Sequence, residues 1–245
     1  MKWGTLYGIG VGPGDPEWIT VKAARLLGEC RHVCVPKSRL AAESVALDIA
    51  RRYLRADAVV HELTFPMTSD GAVLEASWRQ AAAEVLTILD RGEDCCFLTL
   101  GDALLYSTYI YLLREIRRLC PEAGTVTVPG VTAFSAAAAL AGFPVGQGKQ
   151  LVTIVPAGDD LGQFAEALAR GGTVVLMKVG RRLERVLEML DARGLLDRAV
   201  FVSHAGMPQQ YVETDLRRLR GLPEEAGYLS LLIIQVGEPS TERKP

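Results

Sequence analysis

Nowhere in the 245 residues is there a run approaching the roughly 18–20 consecutive apolar residues of a membrane-spanning helix, so no transmembrane segment is expected. The opening stretch, MKWGTLYGIG, has one lysine but no apolar signal core and no small-residue cleavage site; it leads straight into a predicted strand. An excess of positive charge is also missing. Lys and Arg number 27 against 29 Asp and Glu, a net charge of −2, which speaks against nucleic acid as the main partner while leaving room for a local basic patch. The five cysteines are odd in number, Cys95 and Cys96 are adjacent, and no Cys-x-x-Cys occurs, so neither a disulfide framework nor a zinc site is indicated. Buried, reduced thiols in a cytoplasmic protein are the expectation. The three histidines, His32, His61 and His204, lie far apart without metal-ligand spacing, no metal site is expected, and no Gly-x-Ser-x-Gly nucleophile elbow is present.

What is present is a hydrophobic fraction of 49 % beside 23 % charged residues, enough for an ordinary core in one large or two small domains. Short apolar runs at 5–9, 32–36, 58–63, 95–100 and 125–128 read as strands. Between them the spacing is helical: Tyr109, Leu112, Leu113, Ile116 and Leu119 share one face, as do Leu74, Trp78, Ala81, Ala82, Val85 and Leu89. Residues 95–100 are apolar on both faces, as a strand covered by helices on both sides should be. This alternation predicts a mostly parallel α/β sheet. The pattern pauses at 142–150 (GFPVGQGKQ), a linker by composition. A second set follows: strand 151–155, helix 161–170, strand 173–177, helix 181–193, strand 199–203, an extended stretch at 209–214 and a strand at 228–236. The expectation is an α/β fold of two lobes, 1–145 and 146–245, with a cleft between them.

Three loops at predicted strand ends carry the chemistry. The first, Gly8-Ile9-Gly10-Val11-Gly12-Pro13-Gly14-Asp15-Pro16, leads toward a helix that Thr20 should cap. Its glycines allow positive φ and close approach of a ligand to the backbone. It fails the dinucleotide fingerprint Gly-x-Gly-x-x-Gly from either start, since Pro13 or Asp15 falls at the last glycine, and no acidic ribose-binding residue follows at the right distance. It also lacks the Gly-Lys-Ser/Thr of a P-loop. The second loop, Leu100 to Thr108 (LGDALLYST), follows the apolar strand; here Asp102 is open to two readings, ligand contact or helix cap. The third, Pro129-Gly130-Val131-Thr132-Ala133, runs into the small-residue stretch Ala136–Ala139, suited either to a ligand or to tight helix packing.

In order and spacing, these three loops resemble the tetrapyrrole (class III) methylases, and the resemblance covers nearly the whole chain. Within that family, LYGIGVGPGDPE, LTLGDALLYST and Val155-Pro156-Ala157 most resemble the branch that methylates C20 of precorrin-2. One departure is Ala103, where the family usually has proline. The resemblance implies a two-lobed fold, a homodimer, and S-adenosylmethionine held largely by backbone contacts. It points to Pro13, Leu100, Gly101, Asp102, Leu105, Thr132 and Ala133 in the first lobe and to Met177 and Ala205 in the second. The substrate it implies is a precorrin-type tetrapyrrole, metal-free or cobalt-containing. Such a ring carries many carboxylates, so basic partners are expected at strand ends: Lys37 and Arg39 after the second strand, and Lys178, Arg181 and Arg182 after Met177. Methyl transfer from a sulfonium needs little acid or base help, which suits a chain rich in binding loops and without an evident catalytic constellation; no catalytic residue is identified. His204, near a strand end, is left with two roles, structural packing or acceptance of a proton after transfer. A methylase acting on RNA or protein and a non-catalytic nucleotide-binding module are the alternatives.

Overall fold

A computed structural model describes residues 2–37, 44–66, 68–222 and 227–237. The chain divides between Thr132 and Ala133 into two compact units. The first contains β1 (Thr5–Gly10), α1 (Val21–Glu29), β2 (His32–Lys37), α2 (Val45–Ala50), β3 (Val59–Thr64), α3 (Gly71–Leu89), β4 (Cys95–Thr99), α4 (Tyr109–Leu119) and β5 (Gly124–Val128). Its five strands lie in the order β3-β2-β4-β1-β5, every pair parallel. The central β4 is buried along its whole length, as its two-faced apolar pattern predicts.

The period-2 alternation of the strands sorts the core into two layers. Leu6, Cys34, Cys95 and Phe97 face α3 and α4, while Ile9, Val33, Val35, Cys96 and Leu98 face α1 and α2. Thr20 caps α1 by accepting from the Ala23 N–H at 3.2 Å. Gly8 is required by packing: a Cβ there would lie 2.0 Å from the ring of the fully buried Tyr109. β1 connects through α1 toward β2, whereas β4 connects through α4 toward β5 on the other face. The carboxyl ends of β1 and β4 therefore form the topological switch point, where ligands gather in open α/β sheets.

The second unit holds α5 (Ala133–Ala141), β6 (Val152–Pro156), α6 (Gly162–Arg170), β7 (Gly172–Met177), α7 (Leu183–Asp191), β8 (Ala199–Ser203), β9 (Tyr211–Glu213) and β10 (Ser230–Val236). Its sheet order is β6-β7-β10-β8-β9. This sheet is mixed, not mostly parallel: β6 and β7 are parallel, but β10 runs antiparallel to β7 and β8, and β9 antiparallel to β8. The cause is the reversal after β8. β9 brings the chain back along the sheet, and the connection that follows returns it to the carboxyl edge, from which β10 must run the opposite way. One face is covered by Phe164, Ala167 and Leu168 of α6 with Leu183, Val186, Leu187 and Leu190 of α7. α5 packs against β8 and β10, which places the division before this helix and not after it, where the glycine-rich 142–150 segment suggested it. No helix among the described residues is long and apolar enough to cross a membrane.

Candidate functional site

In the first unit, the three glycine loops bind one another. Beyond β1 and β4, Gly12 and Gly101 form an antiparallel bridge, with N–H to O=C distances of 3.1 Å and 2.8 Å. Both glycines have positive φ, +83° and +72°. The third loop closes on this bridge: a Cβ on Gly130 would lie 2.2 Å from the Gly101 carbonyl oxygen, and one on Gly10 2.7 Å from the Gly130 nitrogen. Only glycine permits that backbone-to-backbone contact.

Asp102 holds the assembly together. One carboxylate oxygen accepts from the Leu104 N–H (2.9 Å) and the other from the Gly130 N–H (3.0 Å). It is therefore not a helix cap, because α4 begins only at Tyr109 behind Thr108. It turns its own loop and latches it to the next. The far end of the second loop is anchored by Ser107, whose Oγ lies 2.9 Å from Thr99 Oγ1 and accepts from the Tyr109 N–H at 3.0 Å. Between the two anchors the chain presents Leu104 and Tyr106, which are exposed, and the half-buried Leu105. Pro13 is buried beside the bridge; Leu100, Thr132 and Ala133 are half-buried. Residues 8–16, 100–108 and 129–135 contain no Lys or Arg, and their two acids are Asp102 and Asp15, which turns its own backbone toward Glu17 N–H at 2.8 Å. A surface of backbone and apolar groups without fixed cations does not suit a polyphosphate.

In the second unit, the carboxyl ends of β6, β7 and β8 and the start of β10 share one sheet edge. The Ala157 N–H donates to the Met177 carbonyl (2.7 Å), and the His204 N–H to the Leu229 carbonyl (3.1 Å). Met177, Lys178 and Ala205 thus lie along a single edge, as expected for residues following strands. Lys178, His204 and Leu229 all adopt the left-handed region, with φ of +58°, +50° and +47°. The two remaining described non-glycine residues with positive φ, Tyr106 and Leu161, also lie in segments that leave strand ends, those of β4 and β6. Such conformations cost roughly 1–3 kcal/mol each and concentrate at functional sites. Burial lowers the pKa of Lys178, although the residue as a whole is exposed.

The basic candidates divide. Lys37 ends β2 in an ion pair with Glu62 of the neighbouring strand, and Arg182 pairs with Asp159. Exposed pairs of this kind contribute at most about 1 kcal/mol, so a substrate carboxylate can replace the resident one at little cost. Arg181 is exposed in the short 3-10 turn Gly180–Arg182 beyond β7. Arg39 lies outside the described residues. Gly130, Ser107 and Tyr106 lie within the loops quoted from sequence, but the sequence assigns none of them a role of its own. Ser107 sits two residues ahead of the helix, a position that hints at its anchoring role, but nothing local signals a tyrosine with positive φ.

Residues 5–220 match the model of the tetrapyrrole (corrin/porphyrin) methylases. The chain belongs to this family. It is 40 % identical over 205 residues to the cobalt-precorrin-2 C(20)-methyltransferase of Salmonella typhimurium, covering 84 % of this chain and 85 % of that one. It is 30 % identical over 239 residues to the precorrin-2 C(20)-methyltransferase of a Sinorhizobium species, covering 94 % and 95 %. Among solved structures, the cobalt precorrin-4 methyltransferase CbiF resembles it with a TM-score of 0.71 at 21 % identity over 94 % of both chains. The uroporphyrin-III C-methyl transferase of Thermus thermophilus, solved with S-adenyl homocysteine, does so with a TM-score of 0.64 at 22 % identity over 95 % and 97 %. These two likenesses establish the shared methylase fold.

Proposed function

We propose that this tetrapyrrole methylase is an S-adenosylmethionine-dependent C-methyltransferase acting on C20 of precorrin-2 or its cobalt-containing counterpart, in cobalamin biosynthesis. The observation that carries the reading is the 40 % identity to a C20-methylating relative over 84 % of the chain. The chemistry of the loops supports the cofactor: their glycine-built backbone surface, free of Lys and Arg, suits a nucleoside–amino acid held by backbone contacts and disfavours a triphosphate.

Pro13, Leu100, Gly101, Asp102, Leu105 and Thr132 of the first unit, with Ala133, Met177 and Ala205 of the second, are the residues proposed to hold S-adenosylmethionine. When bound, that group supplies a methyl on a sulfonium, electrophilic enough for an electron-rich ring carbon to take it directly. The residues of the chain then have the tasks of orienting and drying the site. Asp102 fixes two loops at once, and Leu105 offers apolar surface. Alignment of two reactants can lower a barrier by roughly 7–11 kcal/mol, and a site held by paired loops supplies it. Lys37, Arg39, Lys178, Arg181 and Arg182 are proposed partners for the carboxylates of the substrate. A homodimer in the cytoplasm belongs to the same reading; five cysteines that are free and buried fit a reducing compartment, and analytical ultracentrifugation measures the assembly. Calorimetry tests the cofactor. The expected result is binding of S-adenosylmethionine and S-adenosylhomocysteine without NAD or ATP; tight NAD binding with no response to S-adenosylmethionine would overturn the proposal.

A further inference from the structure

We infer that His204 is the base that takes the proton from the substrate carbon after methyl transfer, an inference that rests on the C-methyltransferase reading above. Methylation of a ring C–H carbon needs two exchanges at that atom. A C–C bond forms as the S–C bond to the methyl breaks, its electron pair leaving on sulfur. The C–H bond then breaks, its pair restores the conjugation of the ring, and the proton passes to a base. The exchange is redox-neutral and needs no further reactant.

Three imidazoles are present, and two are already engaged. His32 Nδ1 and His61 Nε2 lie 3.0 Å apart, and His32 Nε2 is 3.2 Å from a Glu93 carboxylate oxygen. His32 opens β2 at the amino edge of the first sheet, the edge opposite the loops. His204 differs on each count. It follows β8 directly at the carboxyl edge, its ring is half-open, and its neighbour is the exposed ring of Tyr228 at 6.0 Å between centroids. Among the described residues its imidazole has no hydrogen-bond or carboxylate partner.

The backbone sharpens the argument. At φ +50°, glycine would serve the fold better than histidine. The imidazole is held at this edge against a local conformational cost, with Lys178 and Leu229 held in the same way at the strand ends beside it.

His204→Gly tests this directly, because the substitution relieves the backbone and opens a space the size of the ring. In the full-length protein, single-turnover formation of the deprotonated, methylated product should fall about 10²–10³-fold. Cofactor affinity by calorimetry should stay within about twofold, as the backbone contacts are untouched. Substrate deuterated at the methylated carbon should reveal a primary isotope effect larger than that of the unsubstituted protein. Added imidazole should restore the rate in proportion to its concentration. If His204→Gly melts early, His204→Asn, which tolerates positive φ, takes its place and is judged by the isotope effect. Unchanged turnover, or a loss that imidazole does not rescue and deuterium does not touch, would overturn the role of His204. Failure of the unsubstituted protein to bind S-adenosylmethionine would instead overturn the reading beneath it.

Discussion

In the first unit the edge beyond the strands is made of glycine: Gly10, Gly12, Gly101 and Gly130 touch backbone to backbone, with Asp102 as the latch. In the second unit the corresponding edge is made by Lys178, His204 and Leu229, each bent into a conformation glycine would adopt freely. The first edge removes side chains so that loops can meet. The second keeps them and accepts strain. The contrast separates a surface suited to holding a ligand by its backbone from one that presents chemical groups, and substitutions should have opposite signs on the two sides.

The largest effect is expected on the glycine side. Gly130→Val places a side chain 2.2 Å from the Gly101 carbonyl oxygen, which no rotamer can relieve. Thermal and urea melts should show a loss at or above the upper end of the roughly 1–3 kcal/mol of overpacking, and calorimetry should show no S-adenosylmethionine binding. Retention of both would mean that the loops do not meet as described. Asp102→Ala comes next. It removes the carboxylate from both the Leu104 and Gly130 N–H groups and should cost about 1.5–3 kcal/mol, with weaker cofactor binding; a neutral result would reduce the latch to an incidental contact.

The strained side should respond in the reverse direction. Lys178→Gly relieves a left-handed non-glycine residue and is expected to raise stability by up to about 1 kcal/mol, tempered by the greater freedom of glycine in the unfolded chain. The Michaelis constant for the tetrapyrrole should rise at the same time. A destabilised Lys178→Gly would end the contrast between the edges. The smallest effect concerns pH. Burial first, and the charge of His32 second, lower the pKa of His61, with Glu84 opposing. The fold therefore resists protonation of His61, and this contribution is complete above the ordinary histidine value of about 6.5 and is lost as pH falls toward the lowered folded value. His61→Gln should flatten the decline in melting temperature over that interval; an unchanged slope would assign the decline to other groups.

The difference between the edges also explains what was legible in the sequence. Every strand of the first sheet was placed within a residue or so, because each is a short run dominated by apolar or β-branched residues and glycine loops follow β1, β4 and β5. The Gly12–Gly101 pairing could be suspected, since two glycine loops followed two strands. The antiparallel course of β10 could not: an apolar strand reads the same in either direction, and only the return of the chain after β9 sets it. The share of α5 in the second unit was hidden as well, because Ala136 and Ala137 would suit either sheet and the glycines after the helix looked more like a boundary. At the site, positive φ announced itself where glycine carried it and stayed silent at Tyr106, Lys178 and His204, which have no local signature. Nor does spacing reveal that Lys37 and Arg182 come with their own carboxylates.

The most direct test of the central claim is carbon-13 NMR of the tetrapyrrole formed by the purified protein from S-adenosylmethionine labelled in its methyl group. Metal-free and cobalt-containing precorrin-2 are offered separately. The account predicts one new labelled methyl on the C20 meso carbon of at least one of the two. A label on any other ring carbon, or label on RNA or protein with none on either tetrapyrrole, would contradict it.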